Sequence, residues 1–316
     1  MQSKNLGQST LTAPPIIFGG NVFGWTVDRA ASFRLLDALV DAGLTSIDTA
    51  DVYSAWVPGH TGGESETVIG EWLAARPGMR ARVSLMTKVG LPIPNQGSGL
   101  SADWIARSAE GSLKRLGTDV IDLYYAHKDD ETVPQEETAA AFGKLVTAGK
   151  VRVLGASNFT GARLESALAA SKALGVARYE VMQPLYNLME RGIEAELIPA
   201  CIRNNVSVAP YSSLASGFLT GKYRGEADLG KSVRGARSVA KYLTPKGTAV
   251  LAALDKVSAE AGCTQGQAAL AWLAAKPGVT APLASLTSLE QLADLVKAAN
   301  ITLSAAQMAA LDEASK

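Results

Sequence analysis

Cysteine and histidine are both scarce in this sequence, which has two of each among its 316 residues. Cys201 and Cys263 lie far apart and have no partner at the spacing of metal ligands, so neither a disulfide framework nor a metal site is predicted. The 30 basic and 30 acidic residues cancel, which gives no sign of a nucleic-acid or membrane partner. No apolar run approaches the roughly 18 residues of a membrane span, and the first residues lack the apolar segment of a signal peptide. We therefore expect a reduced, metal-free protein of the cytoplasm.

The chain is long enough, and with 47% hydrophobic residues apolar enough, to bury one large core. Short apolar or β-branched runs alternate with helical patterns along it. Eight such runs lie near residues 15–18, 45–48, 83–87, 120–126, 151–155, 179–182, 206–210 and 280–284. This alternation predicts an α/β fold, a single (β/α)8 TIM barrel spanning residues 1–316. An open doubly wound sheet is the alternative, but no Gly-x-Gly-x-x-Gly follows any run.

Capping residues mark the helix boundaries. Asp28 and Ser101 can each cap the start of a helix, and Gly43 and Gly117 can stop the same two helices. The interval between the seventh and eighth strands is unusually long, and the chain continues well past the eighth. Extra helices are therefore predicted near residues 245–261, 264–275, 288–299 and 304–315, with a long loop near 216–240 before the first.

Four polar residues with complementary chemistry follow three successive predicted strands. Asp48 ends the second predicted strand, and Tyr53 lies five residues later. Lys88 ends the third predicted strand and His127 the fourth. Because the carboxyl ends of parallel strands share one rim of a barrel, we expect these side chains to converge there. Each one alone also fits a structural role, as a cap, a packed phenol, an edge charge or a buried imidazole.

Together the four residues could protonate a carbonyl oxygen. A free phenol has a pKa of about 10, too high for a good acid at neutral pH without help. The ammonium group of Lys88 would favour the phenolate of Tyr53, and Asp48 would hold that ammonium group in place. A neutral His127 could orient the carbonyl oxygen. No covalent nucleophile or metal cluster accompanies them, so the electrons are expected to come from a cofactor.

Motifs in a fixed order extend this pattern over nearly the whole chain. They include Ser-Ile-Asp-Thr-Ala-Asp-Val-Tyr, Gly-Glu-Ser-Glu-Thr-Val-Ile-Gly, Thr-Lys-Val-Gly, Arg-Leu-Gly-Thr-Asp-Val-Ile-Asp-Leu-Tyr-Tyr-Ala-His, Gly-Lys-Val-Arg-Val-Leu-Gly-Ala-Ser-Asn-Phe and Pro-Tyr-Ser-Ser-Leu-Ala-Ser-Gly-Phe-Leu-Thr-Gly-Lys-Tyr. On these motifs the chain resembles the aldo-keto reductases, within the branch of bacterial reductases and potassium-channel β subunits. The resemblance implies a (β/α)8 oxidoreductase that interconverts aldehydes or ketones and alcohols with NADPH.

The resemblance also implies residue roles. Tyr53 matches the proton donor, Lys88 the lysine that tunes it, and Asp48 the partner of that lysine. His127 matches the histidine that orients the carbonyl group. Cofactor-binding positions are matched by Gly20, Asn21, Asp48, Ser157, Asn158, Gln183, Tyr211, Ser212, Leu214, Gly217, Leu219, Lys222, Arg234, Ser285, Thr287, Gln291 and Asp294. Within this set, residues 157, 158 and 183 would bind the nicotinamide carboxamide, residue 211 would stack on its ring, and residues 212–222 would grip the pyrophosphate.

The match weakens after the eighth strand. Ser285 stands where glycine is common, and Leu295 stands where asparagine is usual. Thr287 stands where many members place an arginine on the 2′-phosphate of the cofactor. Losing that arginine removes a charge-assisted contact, for which Lys222 and Arg234 could compensate. The expected cofactor is therefore NADP(H), with NAD(H) tolerated.

The loops around the rim bear on the substrate. Trp25 and Trp56 could line an apolar pocket for a small-molecule carbonyl or alcohol, and Trp56 lies in a stretch that looks longer than the usual turn. A redox-sensing, cofactor-binding interaction subunit with slow turnover is the alternative function. A hydrolase on the same barrel lacks a metal cluster or a convincing carboxylate pair. The oligomeric state, monomer or homo-oligomer, stays open.

Overall fold

The computed structural model describes residues 2–233 and 235–316, and its centre is a sheet of eight parallel strands. A short antiparallel hairpin precedes the sheet. The strands in chain order are β1 (Lys4–Asn5) and β2 (Thr12–Ala13) in the hairpin, then β3 (Ile17–Gly19), β4 (Ser46–Asp48), β5 (Ser84–Val89), β6 (Ile121–Ala126), β7 (Val151–Ser157), β8 (Tyr179–Gln183), β9 (Ser207–Val208) and β10 (Leu283–Ala284). Neighbours in the sheet follow the order β10-β3-β4-β5-β6-β7-β8-β9.

The two outer strands of this order approach each other, so the sheet curls round. Val208 of β9 donates its backbone N–H to Gly278 at 3.1 Å and accepts one from Thr280 at 2.8 Å. Just beyond β9, the carbonyl oxygen of Pro210 accepts the N–H of Leu283 in β10 at 2.8 Å. Eight parallel strands curled in this way, with helices between them, are consistent with the predicted (β/α)8 fold.

Helices connect the strands and cover the outside of the sheet. They are α1 (Arg29–Asp41), α2 (Glu64–Ala75), α3 (Ala102–Leu116), α4 (Gln135–Thr147), α5 (Gly161–Leu174), α6 (Leu197–Arg203), α7 (Pro245–Ala261), α8 (Gln265–Ala274), α9 (Leu289–Ala298) and α10 (Ala305–Ala314). Shorter helical turns lie at Met79–Arg82, Gly192–Glu194, Ala215–Thr220, Glu226–Lys231, Gly235–Val239 and Ala240–Tyr242. The side chains of Asp28 and Ser101 accept N–H groups of the first turns of α1 and α3, and Gly117 ends α3 in the left-handed conformation, as predicted. No helix among the described residues combines the length and the apolarity needed to cross a membrane.

Two apolar clusters fill the molecule. Because side chains alternate along a strand, Met86 and Leu123 belong to a cluster enclosed by the curled sheet, together with Val181. The larger cluster lies between strands and helices, and it contains the buried Trp72 of α2 and Trp272 of α8. Both tryptophans are on helices of the outer layer.

The N-terminal hairpin covers the lower end of the enclosed cluster. Leu6 in its turn is fully buried, and the backbone N–H of Gly7 donates to Ser207 Oγ at 2.8 Å, at the start of β9. The sequence does not predict this hairpin, since two-residue strands are too short to show an alternating pattern.

The register of the sheet aligns polar residues at its carboxyl edge. Asp48 is paired with Met86, Lys88 with Tyr125, and Ser157 with Gln183. β5 continues to Val89, so Lys88 lies one residue inside the strand rather than at its end as predicted.

Gly70 in α2 allows this helix to pack closely against the end of α3. A Cβ atom at Gly70 would lie 2.1 Å from the carbonyl oxygen of Arg115, whereas a Cβ atom at Gly266 in α8 would lie 3.5 Å from its nearest neighbour. We predict that Gly70→Ala lowers the free energy of unfolding by about 1–3 kcal/mol, because the backbone must shift. Gly266→Ala is the matched control and should raise it by up to about 1 kcal/mol through helix propensity. Urea unfolding measures both, and equal effects of the two changes would contradict the close packing.

Candidate active site

A buried ion pair occupies the carboxyl edge of the sheet. Lys88 is fully buried and Asp48 is 1% exposed. The ammonium group of Lys88 donates to Asp48 Oδ1 at 2.5 Å, to the carbonyl oxygen of Thr49 at 2.7 Å and to the phenol oxygen of Tyr53 at 2.9 Å. An ammonium group has three protons, so these three acceptors satisfy it.

The charges of this group are coupled. Burial alone would lower the pKa of Lys88, but the carboxylate of Asp48 and the phenol of Tyr53 outweigh it and raise that pKa above its usual value. Burial raises the pKa of Asp48, and the ammonium group opposes that rise. Lys88 is therefore a cation at neutral pH, and an ammonium group that donates to the phenol oxygen of Tyr53 favours a phenolate there.

His127 faces the same phenol from the next strand. Its backbone N–H donates to Val89 at 2.8 Å, and its ring centroid lies 6.0 Å from that of Tyr53. Burial, and then the charge of Lys88, hold the pKa of His127 well below its usual value, so the imidazole is neutral. Nδ1 is buried and has no hydrogen-bond partner among the residues the structure describes. A proton on Nδ1 would be left unpaired, which favours the tautomer with the proton on Nε2.

A hydrogen-bonded group links His127 to the neighbouring strands. Asn158 has a left-handed backbone, with φ of 56°, and its amide donates to the carbonyl oxygen of His127 at 2.9 Å and to Ser157 Oγ at 3.0 Å. The hydroxyl of Tyr211 donates to Asn158 Oδ1 at 2.9 Å. On the other side, Gln183 Nε2 donates to Asp48 Oδ2 at 2.9 Å. The structure thus brings the predicted nicotinamide-binding residues together with the four residues of the first prediction.

The loop after β9 contains several residues with a left-handed backbone. Ser212 and Ser216 have positive φ values of 53° and 58°, and Gly217 follows with 94°. A Cβ atom at Gly217 would lie 3.6 Å from the ammonium nitrogen of Lys222. Within the loop, Leu219 donates its backbone N–H to the carbonyl oxygen of Leu214 at 3.2 Å. A turn whose remaining backbone N–H groups lie beside a cation can accept phosphate, so this loop is compatible with a pyrophosphate.

The segments expected to hold the rest of the cofactor fall into two groups. Near the sheet, Gly20 donates its N–H to the carbonyl oxygen of Asp48 at 2.7 Å, and Ser285 Oγ donates to Asn21 Oδ1 at 2.6 Å. Further out, the exposed Thr287 donates its N–H to Gln291 Oε1 at 2.8 Å. The carboxylate of Asp294 accepts a longer bond of 3.4 Å from Gln267. Arg234 lies outside the described residues.

Two tryptophans form an aromatic wall beside Tyr53. The ring of Trp56 lies 6.0 Å from that of Tyr53 and meets the ring of Trp25 edge-on at 5.5 Å. Ser54 ties their two loops together, since its hydroxyl donates to the carbonyl oxygen of Phe23 at 2.8 Å. The predicted substrate residues therefore lie together next to the phenol.

A second set of buried ionisable side chains lies next to β5, and the sequence predicts no role for it. Glu66 of α2 is fully buried and accepts from Arg115 Nε and from Thr87 Oγ1, each at 2.6 Å. Asp51 is 1% exposed, and neither of its carboxyl oxygens accepts a well-formed hydrogen bond from any described residue. Burial, and then the charge of Glu66, hold the pKa of Asp51 well above its usual value of 3.8. The only sequence signal is the second aspartate of Asp-Thr-Ala-Asp, which reads as an ordinary turn residue.

Comparisons with known proteins place this site in a family. Residues 15–316 match the sequence model of the Aldo/keto reductase family. The chain is 36% identical over 310 residues to "Uncharacterized oxidoreductase YrpG" of Bacillus subtilis (strain 168). This alignment covers 96% of this chain and 92% of that protein. It is 34% identical over 267 residues to "Aldo-keto reductase YhdN" of the same organism, covering 82% and 76%. It is also 32% identical over 309 residues to "Probable voltage-gated potassium channel subunit beta" of Oryza sativa subsp. japonica, covering 95% and 92%.

We predict that Asp51→Asn stabilises the protein at neutral pH but not near pH 4. The folded protein keeps a proton on Asp51 that the unfolded chain releases above its usual pKa of 3.8. This contribution to stability is fully present below that value and is lost as the pH rises through the folded-state pKa, by about 1.4 kcal/mol per pH unit. Urea unfolding of both proteins between about pH 4 and pH 8 measures the difference. A difference that stays constant with pH would contradict the neutral carboxyl group.

Proposed function

The chain belongs to the aldo/keto reductase family and is an oxidoreductase, and we propose that it interconverts small aldehydes or ketones and alcohols with NADP(H). In this proposal residues 1–316 act as one (β/α)8 unit, with α7 to α10 as its extra helices. One observation supports it most strongly: the buried ammonium group of Lys88 joins Tyr53 to Asp48, with distances of 2.9 and 2.5 Å. This arrangement suits a phenol that must give up and regain a proton near neutral pH.

When bound, the nicotinamide cofactor supplies or accepts the hydride. Tyr53 gives its phenolic proton to the carbonyl oxygen during reduction and takes a proton back during alcohol oxidation. Lys88 stabilises the phenolate that is left, and Asp48 keeps Lys88 in position. The neutral His127 donates from Nε2 to the same carbonyl oxygen and orients it.

Different residues of the chain would bind different parts of the cofactor. Ser157, Asn158 and Gln183 offer hydroxyl and amide groups at the edge of the sheet, which suit the nicotinamide carboxamide. Tyr211 would stack on the nicotinamide ring. For the pyrophosphate, the loop after β9 and the cation of Lys222 would match the charge of phosphate. Gly20, Asn21 and Ser285 line the remaining approach near the sheet.

We propose NADP(H) as the preferred cofactor, with NAD(H) tolerated. Thr287 carries no charge, so the 2′-phosphate needs a cation from the loop after β9, where Lys222 and Arg234 are the candidates. Gln291 and Asp294 would approach the adenosine.

The proposed substrates carry an apolar substituent on the carbonyl or alcohol carbon. Trp25 and Trp56 stand beside Tyr53 as a joined aromatic wall, which favours apolar groups over highly charged ones.

Similarity to a probable potassium channel β subunit of rice keeps a second candidate function open, a cofactor-binding subunit with slow turnover that reports redox state to a partner. The two functions differ in rate. To distinguish them, a panel of aldehydes, ketones, sugars and alcohols is assayed with both cofactors, and the reaction is measured by nicotinamide absorbance. Ordinary turnover with simple aldehydes favours the enzyme, and single-turnover behaviour favours the subunit.

We predict that Tyr53→Phe lowers turnover by about 10²–10⁴-fold and leaves cofactor binding nearly intact, because the phenol acts mainly in the transition state. Tyr179→Phe is the matched control, since Tyr179 starts β8 at the other end from Gln183. Steady-state kinetics and a fluorescence titration with cofactor measure the two effects. Unchanged turnover in Tyr53→Phe would refute the role of the phenol.

We also predict that Thr287→Arg increases the preference for NADPH over NADH about tenfold, through a charge-assisted contact with the 2′-phosphate. Thr287 is exposed, so the longer side chain has room. Thr287→Gln adds length without charge and should leave the ratio of the two dissociation constants unchanged. An equal response of both variants would argue that position 287 lies away from the 2′-phosphate.

A further inference from the structure

The side chain of Gln183, at the end of β8, contacts the ion pair of the candidate site. It is 2% exposed, and its Nε2 donates to Asp48 Oδ2 at 2.9 Å. The other carboxylate oxygen, Oδ1, accepts from the ammonium group of Lys88, which also donates to Tyr53 at 2.9 Å. Hydrogen bonds therefore connect the amide of Gln183 to the phenol through the ion pair.

Gln183 holds the Asp48 carboxylate in one orientation. A carboxylate only accepts hydrogen bonds, so the amide must face it with its N–H groups and not with its oxygen. The last torsion of an aspartate side chain has a broad minimum, so a carboxylate bonded at one oxygen can turn. With Lys88 on Oδ1 and Gln183 on Oδ2, the carboxylate is held at both oxygens.

Tyr125 lies beside Gln183 inside the curled sheet. It is fully buried and paired with Lys88, and its ring centroid lies 5.9 Å from the ammonium nitrogen. A Cβ atom at Gly155 on β7 would lie 2.4 Å from Cδ1 of this ring, so the ring rests on the backbone of β7. Burial, and then the charge of Asp48, raise the pKa of Tyr125 well above its usual value, and the amide of Gln183 opposes that rise. The buried amide thus lies next to both the Tyr125 hydroxyl and the Asp48 carboxylate.

The bond from Gln183 also affects how strongly Asp48 attracts the protons of Lys88. Burial raises the pKa of Asp48, and Lys88 and then the bond from Gln183 oppose that rise. Without this bond the carboxylate would be a stronger base and would hold the ammonium protons more tightly. Lys88 would then donate less strongly to the phenol oxygen of Tyr53.

Other titratable groups near the three residues are Asp51 after β4, Tyr125 on β6, His127 after β6 and Tyr211 after β9. Burial is the largest effect on each. It raises the pKa of both phenols and lowers that of His127, so these three side chains are uncharged at neutral pH. Lys88 has the smallest of the effects that act on Asp51. The charge of Asp48 is therefore balanced mainly by Lys88 and Gln183.

We propose that Gln183 is a positioning residue for Asp48, Lys88 and Tyr53: its amide fixes the Asp48 carboxylate, which leaves the ammonium group of Lys88 able to stabilise the phenolate of Tyr53. This inference rests on the proposed function, in which Tyr53 exchanges a proton with the substrate oxygen. It is separate from the cofactor contact predicted for Gln183, because the amide oxygen takes no part in the bond to Asp48.

The test compares the ionisation of Tyr53 in the wild type, Gln183→Met and the control Ser157→Ala, all without cofactor. Tyrosinate absorbance is followed from neutral to alkaline pH, and subtracting the curve of the same protein carrying Tyr53→Phe isolates this phenol. Methionine is unbranched and close to glutamine in length but has no N–H. The midpoint in Gln183→Met should therefore move up by about half to one pH unit. An unchanged or lower midpoint would overturn the inference.

Ser157→Ala separates this effect from the loss of a cofactor contact. Ser157 is paired with Gln183 across β7 and β8, and it too is predicted to bind the nicotinamide carboxamide. Its hydroxyl accepts from Asn158 at 3.0 Å. Ser157→Ala should weaken cofactor binding but leave the midpoint of Tyr53 as in the wild type. Equal shifts in Ser157→Ala and Gln183→Met would also refute the positioning role.

Steady-state kinetics at saturating cofactor provide a second readout. Below the midpoint, kcat for alcohol oxidation in Gln183→Met should fall about three- to tenfold, because the phenolate forms at higher pH. A pH profile that coincides with the wild type would contradict the inference. Should Gln183→Met fail to fold, Gln183→Asn serves instead, since its shorter side chain withdraws the amide from Asp48 and should shift the midpoint in the same direction. No turnover with any substrate would refute the proposed function while leaving the titration of Tyr53 to stand.

Discussion

The ion pair of Asp48 and Lys88 is the constraint on which the site depends. Removing two charges from water costs several kcal/mol per ion, so a buried pair persists only when further hydrogen bonds satisfy both partners. Here Thr49 and Tyr53 complete the ammonium group, and Gln183 completes the carboxylate. The loop after β4, the strand β5 and the end of β8 are thereby fixed against one another. The phenol of Tyr53 is held in position because it is one of the three acceptors of the Lys88 ammonium group.

Much of this arrangement could be predicted because it follows from strand spacing. Asp48, Lys88 and His127 lie at or next to the carboxyl ends of successive strands, and parallel pairing brings those ends to one edge. The extra hydrogen bonds could not be predicted. They depend on the left-handed conformation of Asn158 and on the rotamer of Gln183, which the surrounding packing determines.

Other features escaped prediction for a related reason. Asp51 looks like a turn residue in the sequence, whereas in the fold it is 1% exposed and close enough to the buried Glu66 of α2 for their charges to interact. The long segment between β9 and α7 was expected as a loop, and most of it forms short helical turns such as Ala215–Thr220 and Glu226–Lys231. Such turns carry little periodicity, so their sequence does not distinguish them from irregular chain.

The N-terminal hairpin affects how the interior of the sheet can be reached. Leu6 seals the lower end of the curled sheet, and the enclosed side chains above it are almost completely buried. The interior of the sheet below Tyr53 is therefore packed with side chains, and this end of the molecule offers no passage to the phenol through the described residues.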